Sequence, residues 1–346
     1  MDTDGYKIAD HIKCEGYFSH DDDENNYMKQ KIIDIFAGIF NEHGTYVDSK
    51  YEASYLPIKN EIKKMEYIIG FHPEIRAWEH SSTNTIFINI YILASLSILS
   101  TFRDLINILR SNDSIDLEIV MKYFTDEHLS KEGIREIDQI LQKWRQYSVQ
   151  KNRKGITLIW SSNLFDADGD FPYTLTTAKL IFHHEMAHWH LSKFNKETRD
   201  FFIGNARNEL LVYIDSLRTS NEELYHMLKM YLSDDILVKW AEEIAADMMS
   251  FHSLFNRCAT TAERRDVFIS IGLFYSLMKM QELHFNKKTI TLSDSHPPVL
   301  IRERAVRQIF AGSYEMTEEE FNFRMAGAWF FYSTYVDIIV DDYRRQ

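Results

Sequence analysis

The chain has 346 residues, 45% hydrophobic and 26% charged, the balance of a globular protein with a sizeable core. Its formal charge of −13 argues against wrapping a nucleic-acid backbone or lying on anionic lipid, both of which need a basic face. With only 12 Gly and 5 Pro there are few helix breakers, so long helices are expected to dominate.

The amino terminus, MDTDGYKIADHIK, is polar and mixed in charge, unlike a signal peptide. Cys14 and Cys258 lack metal-ligand spacing and read as reduced thiols, which points to the cytoplasm. HDDDENN from His20 reads as a solvated loop. A helical period follows at Lys31 to Phe40, and Asn60 to Trp78 reads as a helix with a break at Gly70 and Pro73. Thr85 to Tyr91, TIFINIY, is β-branched and aromatic and reads as a strand. The apolar run from Ile86 to Phe102 is near the lower limit for a membrane span, but Asn89, Tyr91 and several hydroxyls favour a strand leading into a buried helix.

Residues 102–150 read as two or three helices separated by SNDSID and KEG, and Gly155 to Trp160, GITLIW, reads as a second strand. DADGD, from Asp166, resembles the start of a calcium loop. It lacks the sixth-position glycine and has Thr177 where the twelfth-position glutamate belongs, so an acidic turn is expected. From Thr176 onward the chain reads as nearly continuous helix, broken near Gly204, Ser220, Ser233, Ala259 and Ser293–Pro298. A soft boundary at residue 150 would separate a helical amino-terminal region, 1–150, from a region 151–346 that holds the chemistry.

That chemistry starts at His184-Glu185-Met186-Ala187-His188, an HExxH pattern. Residues four apart on a helix differ by about 40° in direction, so both imidazoles can share one metal ion. Glu185 is turned by about 100°, where it can reach a metal-bound water without being a ligand. Leu180, Ile181 and Leu191 share the histidines' face and point it inward, whereas His183 and His190 face elsewhere and read as surface or packing residues. The third ligand is expected in KWAEEIAADMMSF. Glu243 lies at the edge of that helix's apolar face, Asp247 within it, and Glu242 almost directly away from it. An inward carboxylate is costly unless it coordinates or pairs. Glu243 as ligand and Asp247 as acceptor for a ligand imidazole N–H would meet that cost. Ser295-His296-Pro297-Pro298, with Arg302 beyond, could supply a donor to an oxyanion.

Together HEMAH, EIAAD and SHPPVLIR resemble the gluzincin peptidases of the HtpX and CAAX-prenyl-protease type, over about a third of the chain and in the family's order. The resemblance implies zinc as cofactor, His184, His188 and Glu243 as ligands, and Glu185 as general base. It further implies Asp247 behind the ligands, with His296 and Arg302 holding the oxyanion. That family is commonly membrane-embedded, and this sequence has no convincing span. In outline the chain is also similar to the phage-exclusion peptidases of the Lit type, dormant enzymes that cleave one host protein when triggered.

The expected fold is therefore α+β and predominantly helical, a zincin-like region in which a small sheet drawing on TIFINIY and GITLIW flanks the HEMAH helix. The expected function is zinc-dependent cleavage of a polypeptide, with no nucleic-acid partner. The alternatives are a non-catalytic binding or regulatory protein that keeps the fold, a small-molecule hydrolase with the same centre, and a latent phage-defence protease.

Overall fold

A computed structural model describes residues 12–15, 61, 64–70, 77–80, 82–89, 122, 131–135, 137–139, 141–142, 172–285, 292–313 and 327–345. Helices dominate these residues, accompanied by a small sheet. The strands are β1 (Ile12–Glu15), β2 (Glu66–Gly70), β3 (Trp78–His80) and β4 (Thr85–Asn89). The helices are α1 (Pro172–Lys193), α2 (Lys196–Ser220), α3 (Glu222–Tyr231), α4 (Asp234–Phe255), α5 (Thr261–Phe285), α6 (Val299–Ser313) and α7 (Gly327–Arg345). No helix among the described residues is long and apolar enough to cross a membrane.

Sheet order is β1-β2-β4-β3, with β1, β2 and β4 parallel and β3 antiparallel to β4 and, among the described residues, at an edge. The expected strand at Thr85 is β4. The helix expected over Asn60 to Trp78 does not extend through the stretch: Glu61 is helical, but β2 takes Glu66–Gly70 and β3 begins at Trp78, while residues 60, 62–63 and 71–76 lie outside the described residues. Tyr67, Ile68 and Ile69 suit a pleated surface, and pairing on both sides overrides whatever helical period the segment carries. GITLIW, Lys31 to Phe40, SNDSID and the DADGD loop lie outside the described residues.

Helix α1 explains its own position. Leu180, Ile181, Phe182, Met186, Trp189 and Leu191 are all buried, so the helix is apolar on nearly every side and belongs in the centre of the fold. The sheet covers one side, through Tyr67 against Phe182, with ring centroids 5.8 Å apart. Helices α4 and α5 cover another, with Ser250 Oγ donating to the Leu180 carbonyl at 2.8 Å across the α1–α4 contact. Helix α4 also packs on α2 and α6, and α5 on α7.

Short polar residues start several helices as their chemistry dictates. Asn195, Asn221 and Ser233 accept from backbone amides at the starts of α2, α3 and α4. Thr260 and Glu263 form a reciprocal capping box at α5. Of the expected breaks, those near Ser220, Ser233, Ala259 and Ser293–Pro298 fall between helices. Gly204 does not break α2, which runs straight through it, and the chain turns instead at Phe194 and Asn195. KEG is helical too: at Gly133 an added Cβ would sit 3.2 Å from Ile339, so the glycine permits a close approach to α7.

The β3–β4 turn ends at Asn84, whose φ of 51° is left-handed. Asn tolerates that region better than most residues. Trp189 Nε1 donates to Asn84 Oδ1 at 3.1 Å, fastening the turn to α1. Asn84→Ala loses both the backbone tolerance and the bond, and urea unfolding should show a loss of about 2–3 kcal/mol. Asn84→Gly, which keeps the backbone freedom, should lose about 1 kcal/mol. Equal losses would mean that the φ value carries no energy.

Candidate metal centre

Helices α1 and α4 bring His184, His188 and Glu243 together. Their nearest ligating atoms all lie within 4.8 Å of one another. His184 Nε2 is 3.1 Å from His188 Nε2, Glu243 Oε1 is 3.3 Å from His188 Nε2, and Glu243 Oε2 is 3.6 Å from His184 Nε2. Donors on a tetrahedral ion with bonds of about 2.0–2.1 Å stand roughly 3.3 Å apart, so the two nitrogens and a Glu243 oxygen suit one small divalent cation.

The surrounding residues orient this set. His184 Nδ1 faces Asp247 Oδ1 at 3.0 Å, so an N–H there donates to the carboxylate and leaves Nε2 for a ligand. Asp247 is fully buried and also accepts from Tyr275 Oη at 2.8 Å. Arg302 grips it with two donors, Nε at 2.5 Å and Nη2 at 2.6 Å, while its Nη1 lies 3.0 Å from Glu243 Oε2. The guanidinium stacks near Phe274, 5.9 Å from the ring centre.

Burial and charge oppose each other throughout. Burial pushes the Glu243 carboxyl up, but His188 and Arg302 override it and hold the group well below the usual carboxylate range. Burial likewise raises Asp247, and Arg302 reverses the direction. Burial depresses the His188 imidazole, yet Glu243 and Glu242 lift it well above its ordinary value. Glu185 has no such override: burial raises its carboxyl against the pull of His184 and His188. A divalent cation held by Glu243 and the two imidazoles would take the place of the proton that Glu243 favours on His188 in the metal-free protein.

The remaining residues named from sequence fall around this set. Glu185 follows His184 on α1 and is buried. His296 reaches the opposite side from the loop before α6. Its side chain is 59% exposed, with Nε2 3.5 Å from Glu243 Oε1 and Nδ1 2.7 Å from Ser295 Oγ. Trp240 Nε1 donates to the Ser293 carbonyl at 2.8 Å and Tyr231 Oη to Asp294 at 2.5 Å, which pins that loop to α4 and α3. Arg302 lies on the inner side, 1% exposed, with its donors on Asp247 and Glu243. His183 and His190 are packing residues: both are buried, beside Phe182 for the first and Trp189 and Phe194 for the second. Burial drives the His190 imidazole down to about 3, so it stays neutral.

Three neighbours escape a reading of the sequence. Glu242 does not point away from the site: its carboxylate is 3.9 Å from His188 Nδ1 and 3.2 Å from Arg199 on α2. An apolar-face projection misses it because α4 is packed on more than one side. Tyr275 lies far along the chain with no motif to mark it. Glu79 stands on β3, its carboxyl within electrostatic reach of His188, Glu185, Lys193 and Glu242, and burial raises it to about 7.

Comparison with protein-family models, curated proteins and solved structures finds no match to this chain. What can be said of the site follows from its geometry: a buried His-His-Glu group able to hold a metal ion.

Removing Arg302 should expose how strongly the site depends on compensation. Arg302→Met strands two buried carboxylates and should lower the stability of the metal-free protein by about 3–5 kcal/mol in urea unfolding. Arg302→Lys keeps the charge without the fork and should lose less. A change below about 1 kcal/mol for Arg302→Met would refute this assignment.

Proposed function

We propose that the chain is a zinc-dependent endopeptidase with a zincin-like catalytic region. The observation that carries this reading is Glu185 beside a buried two-histidine, one-glutamate donor set. Three protein donors leave a tetrahedral ion one further position, and a purely structural site has no use for a base next to it. Two neutral imidazoles and a carboxylate are the donor types zinc favours. The order of HEMAH, EIAAD and SHPPVLIR, as in the HtpX-type gluzincins, supports the same reading.

A zinc ion bound there would acidify a water and polarise the scissile carbonyl. Glu185 takes the proton of the attacking water and passes it to the leaving amine. Asp247 fixes the His184 ring through Nδ1, whereas Glu242, 3.9 Å from His188 Nδ1, acts on that ring through its charge. When Ser295 donates to His296 Nδ1, the proton sits on Nε2, which faces the site and can donate to the oxyanion developing on the carbonyl oxygen. Arg302 is a positioning residue, because its donors are engaged by Asp247 and Glu243. The substrate is a polypeptide, bound as an added strand along the edge strand β3, which packs against α1.

Glu185→Gln tests the reading. The variant should retain its zinc while its cleavage of a proteome-derived peptide mixture, followed by mass spectrometry, falls at least about 100-fold. Undiminished cleavage in the zinc-loaded variant would refute Glu185 as the base.

A further inference from the structure

We propose that Glu79 forms a cation-accepting subsite beside the metal centre, which selects peptides carrying a positive charge close to the scissile bond. This rests on the endopeptidase reading above and names the substrate class for it.

The sheet register places the residue. Tyr67, Ile86 and Glu79 are cross-strand partners in β2, β4 and β3, so their side chains share one face of the sheet. Tyr67 packs on Phe182 of α1, which identifies that face as the one turned toward the HExxH helix. Among the described residues Glu79 is the outermost member of the row, on β3 at the end of the sheet order. Its charged surroundings are His188 and Glu185 of the candidate centre, with Glu242 and Lys193.

Among the described residues the carboxyl is only partly compensated: burial outweighs the downward pull of His188 and Lys193. Glu79 Oε1 is buried and finds no hydrogen-bond partner among the described residues. Lys193, the nearby cation, lies 3.5 Å from Glu61 and stacks over Trp189 instead. Arg199 is engaged with Glu242. An inward, unbonded carboxylate next to other carboxylates costs folding free energy, and an incoming ammonium or guanidinium would remove that cost. A peptide added along β3 would place one side chain directly opposite Glu79, about 4.5–5.5 Å away between Cβ atoms, where opposite charge is favoured. The cation can come from a Lys or Arg side chain or from a free α-amino group.

The test uses three hydroxamates, which bind an open metal position without being hydrolysed, titrated calorimetrically into zinc-loaded protein. They are acetyl-Lys-Lys hydroxamate, acetyl-norleucyl-norleucine hydroxamate and norleucyl-norleucine hydroxamate with a free α-amine. At least one cationic probe should bind about 10-fold or more tightly than the neutral one. Glu79→Gln should bring that ratio to within about two-fold while leaving the neutral probe's affinity unchanged, which also reports that the variant is folded. The probe that loses its advantage identifies the cation as side chain or amino terminus. No preference in the wild type, or a preference that survives Glu79→Gln, overturns the subsite alone. If zinc is bound yet none of the three hydroxamates binds, the open metal position fails, and the endopeptidase reading falls with the subsite.

Discussion

Everything around the candidate centre depends on keeping three carboxylates inside the protein. Glu185, Glu243 and Asp247 are all buried, and desolvation opposes the charge of each. Arg302 answers for Asp247 and shares Glu243 with His188, whose imidazole is depressed by burial but lifted well above its ordinary value by that carboxylate. The Nε2 atoms of His184 and His188 stand about one tetrahedral edge apart, as two ligands of one ion would once deprotonated. A divalent cation would satisfy the donors and their charge together.

The support behind this arrangement is a second buried ionic cluster that begins at the neighbouring residue. Arg302 turns toward the centre, whereas Glu303 turns the other way. It lies 2.8 Å from Lys279 of α5 and accepts from Arg307 at 2.9 Å and from Trp329 Nε1 of α7 at 2.8 Å. Lys279 is also 2.6 Å from Asp337. Helix α6 is therefore held on one side by the centre and on the other by α5 and α7. Because breaking a buried pair is far more costly than replacing it, this cluster fixes the rotation of α6 and with it the aim of Arg302.

The sequence made the local parts of the site readable. HExxH and the apolar faces of α1 and α4 depend only on helical periodicity, so His184, His188, Glu243 and Asp247 could be named together before any fold was known. The strand at Thr85 was legible from its β-branched run. Other parts depend on distant pairing. Strand β2 carries a segment that reads as helix, because its neighbours in the sheet are far away along the chain. Glu79 becomes meaningful only once the register sets it in a row with Tyr67 and Ile86. Glu242 looks solvent-facing on a helical wheel until α2 supplies Arg199. Arg302 shows the same limit: its place near the site was readable, but its engagement by two carboxylates was not.

The central claim is that His184, His188 and Glu243 form one metal centre, and elemental analysis of zinc per chain tests it most directly. Wild type and Glu243→Ala should be purified in parallel after zinc has been supplied during expression. The wild type should carry about one zinc per chain and the variant sharply less. A wild type without zinc, or equal zinc in both proteins, would contradict it.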